Sequence, residues 1–260
     1  MTRDNETKAA GLALLLTAAA ATPSAVAQQE PLQEYMVLEE VLVVAQNRTQ
    51  NLQLVPVAVT AFSGRDLETS GIEDLQDLAA IAPALHVRTR SDPKSTPFVI
   101  RGIGTYANNF GLESSVGLYV DGVYRSRQGS MLNNLVDIQS VEVLRGPQGT
   151  LFGRNTLAGA VVVNTVPPRH GDYEGFVDVT AGNYDLRNIS GATSFSPIDD
   201  VLTLRVTGFS SQRDGYVDDI NLGDDEIFNR DRWGARLQAL YTPNNDLSIR
   251  LVADYSEVDE

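Results

Sequence analysis

The chain has no cysteine. That excludes disulfides and thiolate metal sites alike. It has two histidines, His86 and His170. They lie far apart, with no carboxylate-rich ligand spacing around either, so no metal centre is expected. Positive charge is scarce: Lys and Arg number 20 against 34 Asp and Glu, a net charge of −14. No basic patch is available to neutralise phosphates, so nucleic acid is not an expected partner. The acidic excess sits late in the chain, with 14 acidic and 10 basic residues over 28–168 but 18 and 8 over 169–260. Catalytic patterns are also missing. No serine stands in a Gly-x-Ser-x-Gly elbow, and neither histidine lies in a base motif. No Gly-x-x-x-x-Gly-Lys-Ser/Thr cradle is present. The sequence therefore reads as a non-enzyme that needs no cofactor.

Long apolar runs are equally rare. One lies at the N-terminus, from Ala9 to Ala21, behind Arg3 and Lys8 and ahead of Pro23. It is too short for a bilayer-spanning helix, which takes about 20 residues. Ala25-Val26-Ala27 follows as a small-x-small site. Residues 1–27 read as an export signal. Any later membrane crossing must use strands, because every backbone polar group in lipid needs an internal partner.

The most informative stretch runs from Asp137 to Thr165. Ser140 to Leu144 is short and β-branched, bounded by Gly146-Pro147; Ala160 to Thr165 is a second such run, ended by Pro167-Pro168. Glycines between them suit tight turns and close backbone approach. The pattern predicts strand, irregular link, strand, with no helix after the glycines. Upstream, residues 46–136 read as a small α+β unit. Val55 to Phe62 is a strand, and Ser63 caps a short helix over Gly64 to Thr69. Ile72 to Ala80 places Ile72, Leu75, Leu78 and Ala79 on one helical face. Leu85 to Arg90, Phe98 to Arg101 and Gly117 to Val120 are strands, the last closed by an Asp121-Gly122 turn into Val123-Tyr124.

The run VEVLRGPQGTLFGRNTLAGAVVVNT, together with VPVAVTAFSG, FVIRGIG and VGLYVDGVYRSR, resembles the plug domain of TonB-dependent outer-membrane receptors. The resemblance implies a plug over residues 46–168, a small mixed sheet with short helices. It implies a further element ahead of the plug. Residues 28–45 form a polar tether ending in Leu38, Glu39, Glu40, Val41, Leu42, Val43, Val44 and Ala45. This segment is similar to the family's TonB box, which pairs with the inner-membrane energising protein TonB. An extended β-branched segment on a tether suits strand addition to a partner's sheet edge; the other reading is a first plug strand. Arg101, Arg125, Arg127, Arg145 and Arg154 recur at strand ends or in loops. The resemblance implies that Arg101 and Arg145 pair with acidic residues of a barrel wall.

After Pro168 five segments alternate apolar with polar residues. They are centred on Gly175–Ala181, Leu186–Phe195, Leu202–Val206, Trp233–Tyr241 and Leu247–Tyr255. Such alternation, with short turns on one side and the long 212–230 loop on the other, is the outer-membrane barrel pattern. Tyr184, Trp233, Tyr241 and Tyr255 are placed for an aromatic girdle. Asp218, Asp219, Asp224, Asp225 and Glu226 match no calcium-loop spacing and read as solvated loop charge. Residues 169–260 are thus expected to be the first strands of an incomplete transmembrane β-barrel, since receptors of this type close about 22 strands around the plug. The chain is expected to be an N-terminal portion of a receptor or a truncated gene product. The resemblance implies active uptake of a nutrient, with a ferric siderophore as the expected small-molecule ligand and with TonB and outer-membrane lipid as partners. A soluble periplasmic binding module and a non-functional fragment are the alternatives. Cleavage after Ala27 is predicted to leave Gln28 as the mature N-terminus; the mass of the exported protein checks this, and a retained Met1 contradicts it.

Overall fold

The computed structural model describes residues 42–43, 50–51, 57–87, 97–105, 113–126, 134–171, 173–217 and 228–259. The expected leader, most of the tether (Leu38–Val41, Val44 and Ala45 included), Arg127 and the acidic residues of 218–226 lie outside them. Leu42 and Val43 form a strand, β1 (Leu42–Val43), which pairs antiparallel with β2 (Gln50–Asn51) as a separate two-stranded sheet.

The mixed domain starts at β3 (Ala58–Ser63) and α1 (Gly64–Thr69). Ser63 caps α1 as expected. Its hydroxyl accepts from Asp66 N, while the Asp66 carboxylate accepts from Ser63 N at 2.9 Å. This reciprocal pair satisfies two backbone donors that a helix start leaves open. The next expected helix, Ile72 to Ala80, shrinks to one turn, α2 (Leu78–Ile81). The cause lies in two aspartates. Asp74 accepts from the backbone N–H groups of Gln76 and Asp77, and Asp77 accepts from those of Glu73 and Asp74. Side chains that bond nearby backbone donors compete with helix. Leu75 and Leu78 still reach full burial.

β4 (Leu85–Val87), β5 (Phe98–Ile100) and β6 (Ile103–Gly104) make a small antiparallel sheet. The main sheet adds β7 (Val116–Val120), β8 (Val123–Tyr124), β9 (Ile138–Arg145) and β10 (Gly159–Thr165), in the order β3-β9-β10-β7-β8. The β10–β7 pair is parallel and the others antiparallel. Asp121 and Gly122, both at positive φ, turn β7 into β8, as the dipeptide requires. The glycine-rich link is not wholly irregular: Gly149–Phe152 forms a one-turn helix, α3. The runs in β9 and β10 are apolar without alternation because both faces are covered. Val141, Val143, Val161 and Val163 face the core under α1 and α2, while Leu144, Ala160 and Val162 face a second cluster with Tyr119.

The wall is an antiparallel meander: β11 (Glu174–Gly182), β12 (Leu186–Ile198), β13 (Leu202–Arg213), β14 (Arg230–Asn244) and β15 (Leu247–Val258), paired in sequence order. Among the described residues β11 and β15 are its open edges. One face is polar and buried against the mixed domain, with Asn188, Ser194, Thr203, Arg205, Thr207, Ser211, Arg232 and Gln238 all covered. The other is apolar and exposed: Val179 is 69%, Leu237 48% and Leu251 65% accessible. Inverted polarity of this kind is what a barrel wall in lipid needs.

Gly159 marks the tightest approach in the core. Its φ is +152°, and a Cβ there would lie 2.2 Å from Leu144 O and 2.8 Å from Ile100 Cδ1. Gly159→Ala is expected to destabilise the chain by about 1–3 kcal/mol, the cost typical of overpacking. The urea midpoint reads this, and an unchanged midpoint contradicts the packing.

Candidate functional site

The mixed domain meets the wall through charge, at levels set by strand register. Nearest the long loop, Glu73 and Asp74 occupy the turn ahead of α2. Arg230 reaches Glu73 Oε2 at 2.9 Å and Arg232 reaches Asp74 Oδ2 at 3.0 Å. Asn188 donates to Glu73 at 3.2 Å and accepts from Ser211 Oγ at 2.7 Å. The other oxygen of Asp74 bonds its own turn, so the interaction that shortens the helix also aims the carboxylate at the wall. Burial pushes the Asp77 carboxyl above its ordinary range, and the charge of Asp74 adds to the shift.

One level down stands a contact as enclosed as the Arg232–Asp74 pair. Asp137 precedes β9 in a left-handed turn with φ +59°, a conformation aspartate tolerates better than most residues. Its carboxylate receives Arg205 Nε at 2.8 Å, Arg205 Nη2 at 2.5 Å and Thr207 Oγ1 at 2.7 Å. The two charged side chains are 5% and 1% exposed. This is the two-pronged fork geometry that only arginine offers a carboxylate.

Asp121, at the β7–β8 turn, forms a third contact. It accepts from Thr165 N and Oγ1 within the domain and lies 3.2 Å from Arg250 on β15. Arg250 also donates to Gln238 Oε1, and Gln238 Nε2 donates to Val166 O. Alongside, Arg125 pairs with Asp254 at 2.6 Å.

The connector between domain and wall is fastened by His170. Its Nδ1 lies 2.7 Å from Thr203 Oγ1, and its Nε2 bonds Thr242 Oγ1. The single Thr242 hydroxyl proton goes to the Asp200 carbonyl, so Nε2–H donates to Thr242, and in a neutral ring Nδ1 then accepts from Thr203. Ser196 Oγ, 2.8 Å from Thr203 Oγ1, supplies the next proton in the chain.

The arginines expected to pair with the wall are placed otherwise. Arg101 is exposed, with φ +53°. Arg145 donates Nε to Ala58 O at 3.4 Å, inside the mixed domain. Among the described residues neither has an ion pair with the wall. The contacts present have mostly the opposite polarity, domain carboxylates on wall arginines; Arg125–Asp254 alone has the expected one. The missed signal was the cationic member of each wall alternation, at 205, 232 and 250, since a charge on a buried strand face needs a partner.

The aromatics divide. Trp233 and Tyr255 pair on the outer face with centroids 5.3 Å apart, and Tyr241 stands eight residues along β14 from Trp233. That separation is about 26 Å along the strand, or about 20 Å once tilted, close to the height of an apolar membrane band. Tyr184 departs from the expected girdle. It packs on Tyr216, which stacks on Phe228 at the base of the long loop.

Removing Arg205 alone leaves Asp137 buried and uncompensated, which costs about 3–5 kcal/mol. Arg205→Met is therefore expected to lower stability by that amount. Adding Asp137→Asn, which removes the buried charge and keeps a residue that tolerates the left-handed turn, should restore part of it. Urea unfolding of both variants in detergent checks the order, and a double variant no better than the single one contradicts it.

Comparison with known proteins gives the same outline. Residues 51–160 match the model of the TonB-dependent receptor plug domain. The chain is 31% identical over 175 residues to the pesticin receptor of Yersinia enterocolitica, covering 66% of this chain and 25% of that protein. It is 26% identical over 193 residues to the iron-regulated outer membrane virulence protein of Vibrio cholerae, covering 68% and 28%. Its structure is similar to the ferric yersiniabactin uptake receptor of Yersinia pestis, with a TM-score of 0.71 at 25% identity, over 77% of this chain and 31% of that one. It shares the fold of the ferripyoverdine receptor of Pseudomonas aeruginosa, with a TM-score of 0.69 at 17% identity, over 83% and 27%. The chain spans about a quarter of the length of the curated relatives it matches.

Proposed function

From the premise that this chain belongs to the TonB-dependent outer-membrane receptor family, we propose that it supplies the plug and first wall strands of a receptor for active uptake of a nutrient. A ferric siderophore complex is the proposed cargo. The observation that carries the reading is the inverted wall: plug carboxylates seated on an arginine-bearing inner face, with an apolar face outside. A soluble sheet would bury its apolar side instead. The outer face meets outer-membrane lipid. Ligand enters from the long-loop side, and the structural neighbour named for ferric yersiniabactin uptake supports an iron-chelate cargo. No covalent chemistry is assigned to the chain.

Residues 38–45 are the proposed coupling segment. TonB would pair with it by strand addition and, by pulling, loosen the plug. In the chain as described Leu42 and Val43 are paired with Asn51 and Gln50, so coupling replaces that hairpin with an intermolecular one. Arg101 and Arg145 keep a proposed role at the wall of a complete barrel.

Proline lacks the N–H a ladder needs. In a full-length receptor, Val43→Pro is expected to abolish uptake while leaving ligand affinity on whole cells nearly unchanged. Val43→Ile should be tolerated. Normal uptake by Val43→Pro sinks the assignment of 38–45, and loss of both binding and uptake makes the segment part of the plug core.

A further inference from the structure

Among the described residues two wall cations lack a carboxylate partner: Arg213, which bonds the Phe228 carbonyl, and Arg236. Arg205, Arg230, Arg232 and Arg250 each have a carboxylate within 3.2 Å. Arg236, on the same inner face, bonds only the Val136 carbonyl, through Nη2 at 2.8 Å. Its Nη1 is buried and, among the described residues, has no hydrogen-bond partner. Its cross-strand neighbours are already engaged. Thr207 and Asp254 stand opposite it on β13 and β15, but Thr207 donates to Asp137 and Asp254 pairs with Arg125.

Arg236 lines a cavity of about 310 Å³ between the plug and strands β13 to β15. Two more residues lining the same space carry buried atoms that have no partner among the described residues: Arg125 Nε and Asn134 Oδ1. The acidic groups there, Asp121 and Asp254, are matched by Arg250 and Arg125. What remains is one uncompensated positive charge, two orphaned guanidinium donors and one orphaned acceptor. A buried cation without a partner is costly, and each unmade buried hydrogen bond adds to that cost.

We propose that this cavity is a binding site for a small hydroxycarboxylate. The carboxylate takes the free N–H groups of Arg236 and Arg125, and the hydroxyl donates to Asn134 Oδ1. Guanidinium groups suit carboxylate oxygens, and the volume exceeds the roughly 10–15 Å³ that a single water needs many times over. The ligand is either a free hydroxy acid or the hydroxycarboxylate arm of a larger molecule passing the seam. The site follows from the unmatched groups alone and does not rest on the uptake reading.

The test uses the whole chain in detergent micelles at constant ionic strength. The probes are glycolate, acetate and chloride, with the nitrogen-15 resonances of the Arg125 and Arg236 side chains as readout. Glycolate and acetate should shift both resonances saturably, glycolate at about fivefold lower concentration, as one added hydrogen bond allows. Chloride should not. Arg236→Gln should abolish saturation, and Arg236→Lys, which keeps the charge without the fork, should weaken it. Asn134→Ala should remove the preference for glycolate while leaving acetate binding unchanged; this variant carries the test if the arginine variants misfold. Appending a bulky amide to glycolate through its hydroxyl-bearing carbon separates the two sources, since only an arm-accepting site tolerates it. Shifts that grow linearly, that chloride reproduces, or that persist in Arg236→Gln overturn the site and leave a cavity holding water.

Discussion

Arg205 and Asp137 meet where neither reaches solvent, and that pair decides what the wall and the plug can be. A guanidinium on the inner face of a membrane wall has no water to fall back on, so its carboxylate must come from whatever fills the lumen. Asp137 supplies it from a left-handed turn at the head of β9, next to the central strand of the plug sheet. The rest of the interface repeats the scheme. Glu73, Asp74 and Asp121 all sit in turns, and Arg230, Arg232 and Arg250 all sit on strands. Rigid strands place the cations, and short turns place the anions.

This division couples two folds that hydrophobicity alone would not join. The plug has its own apolar core around Leu75, Leu78, Phe98 and Val161. The wall directs its apolar residues away from the plug. Between them lies a seam of hydrogen bonds and ion pairs, of which Arg205–Asp137 and Arg232–Asp74 are enclosed. Polar seams are directional, so they fix register where a greasy contact would tolerate sliding. They are also exchangeable, since a carboxylate that leaves an arginine can be replaced by water once the seam opens. A plug held in this way is both located and releasable.

Much of this was legible in the sequence. The β9–link–β10 stretch, the Ser63 cap and the five wall strands follow from β-branching, capping chemistry and period-two alternation. The helix at 72–80 was misread because Asp74 and Asp77 turn their side chains onto the local backbone, a competition that apolar spacing does not reveal. The contacts with these five wall strands came from other residues than the two arginines singled out. Arg101 and Arg145 stand out in their glycine-flanked motifs, whereas Arg205, Arg232 and Arg250 are inconspicuous among alternating polar residues. Their significance depends on which strand face is covered, and that is a property of the assembled wall. Tyr184 stands at a strand end, in a positive-φ turn, and its packing on Tyr216 is a contact that spacing does not reveal.

The His170 fastening constrains motion as well as position. Both ring nitrogens are engaged, one by each of two neighbouring strands, and the prolines just before it stiffen the approach. The plug's C-terminal end is therefore a fulcrum on the rim of the wall. A force arriving from the N-terminal side would act across half the sheet, from β3 at one edge to the connector beyond β10, the central strand, as the pivot. Displacement under such a load is a rotation, largest where the lever is longest, and the plug can swing clear of the seam without being cast loose.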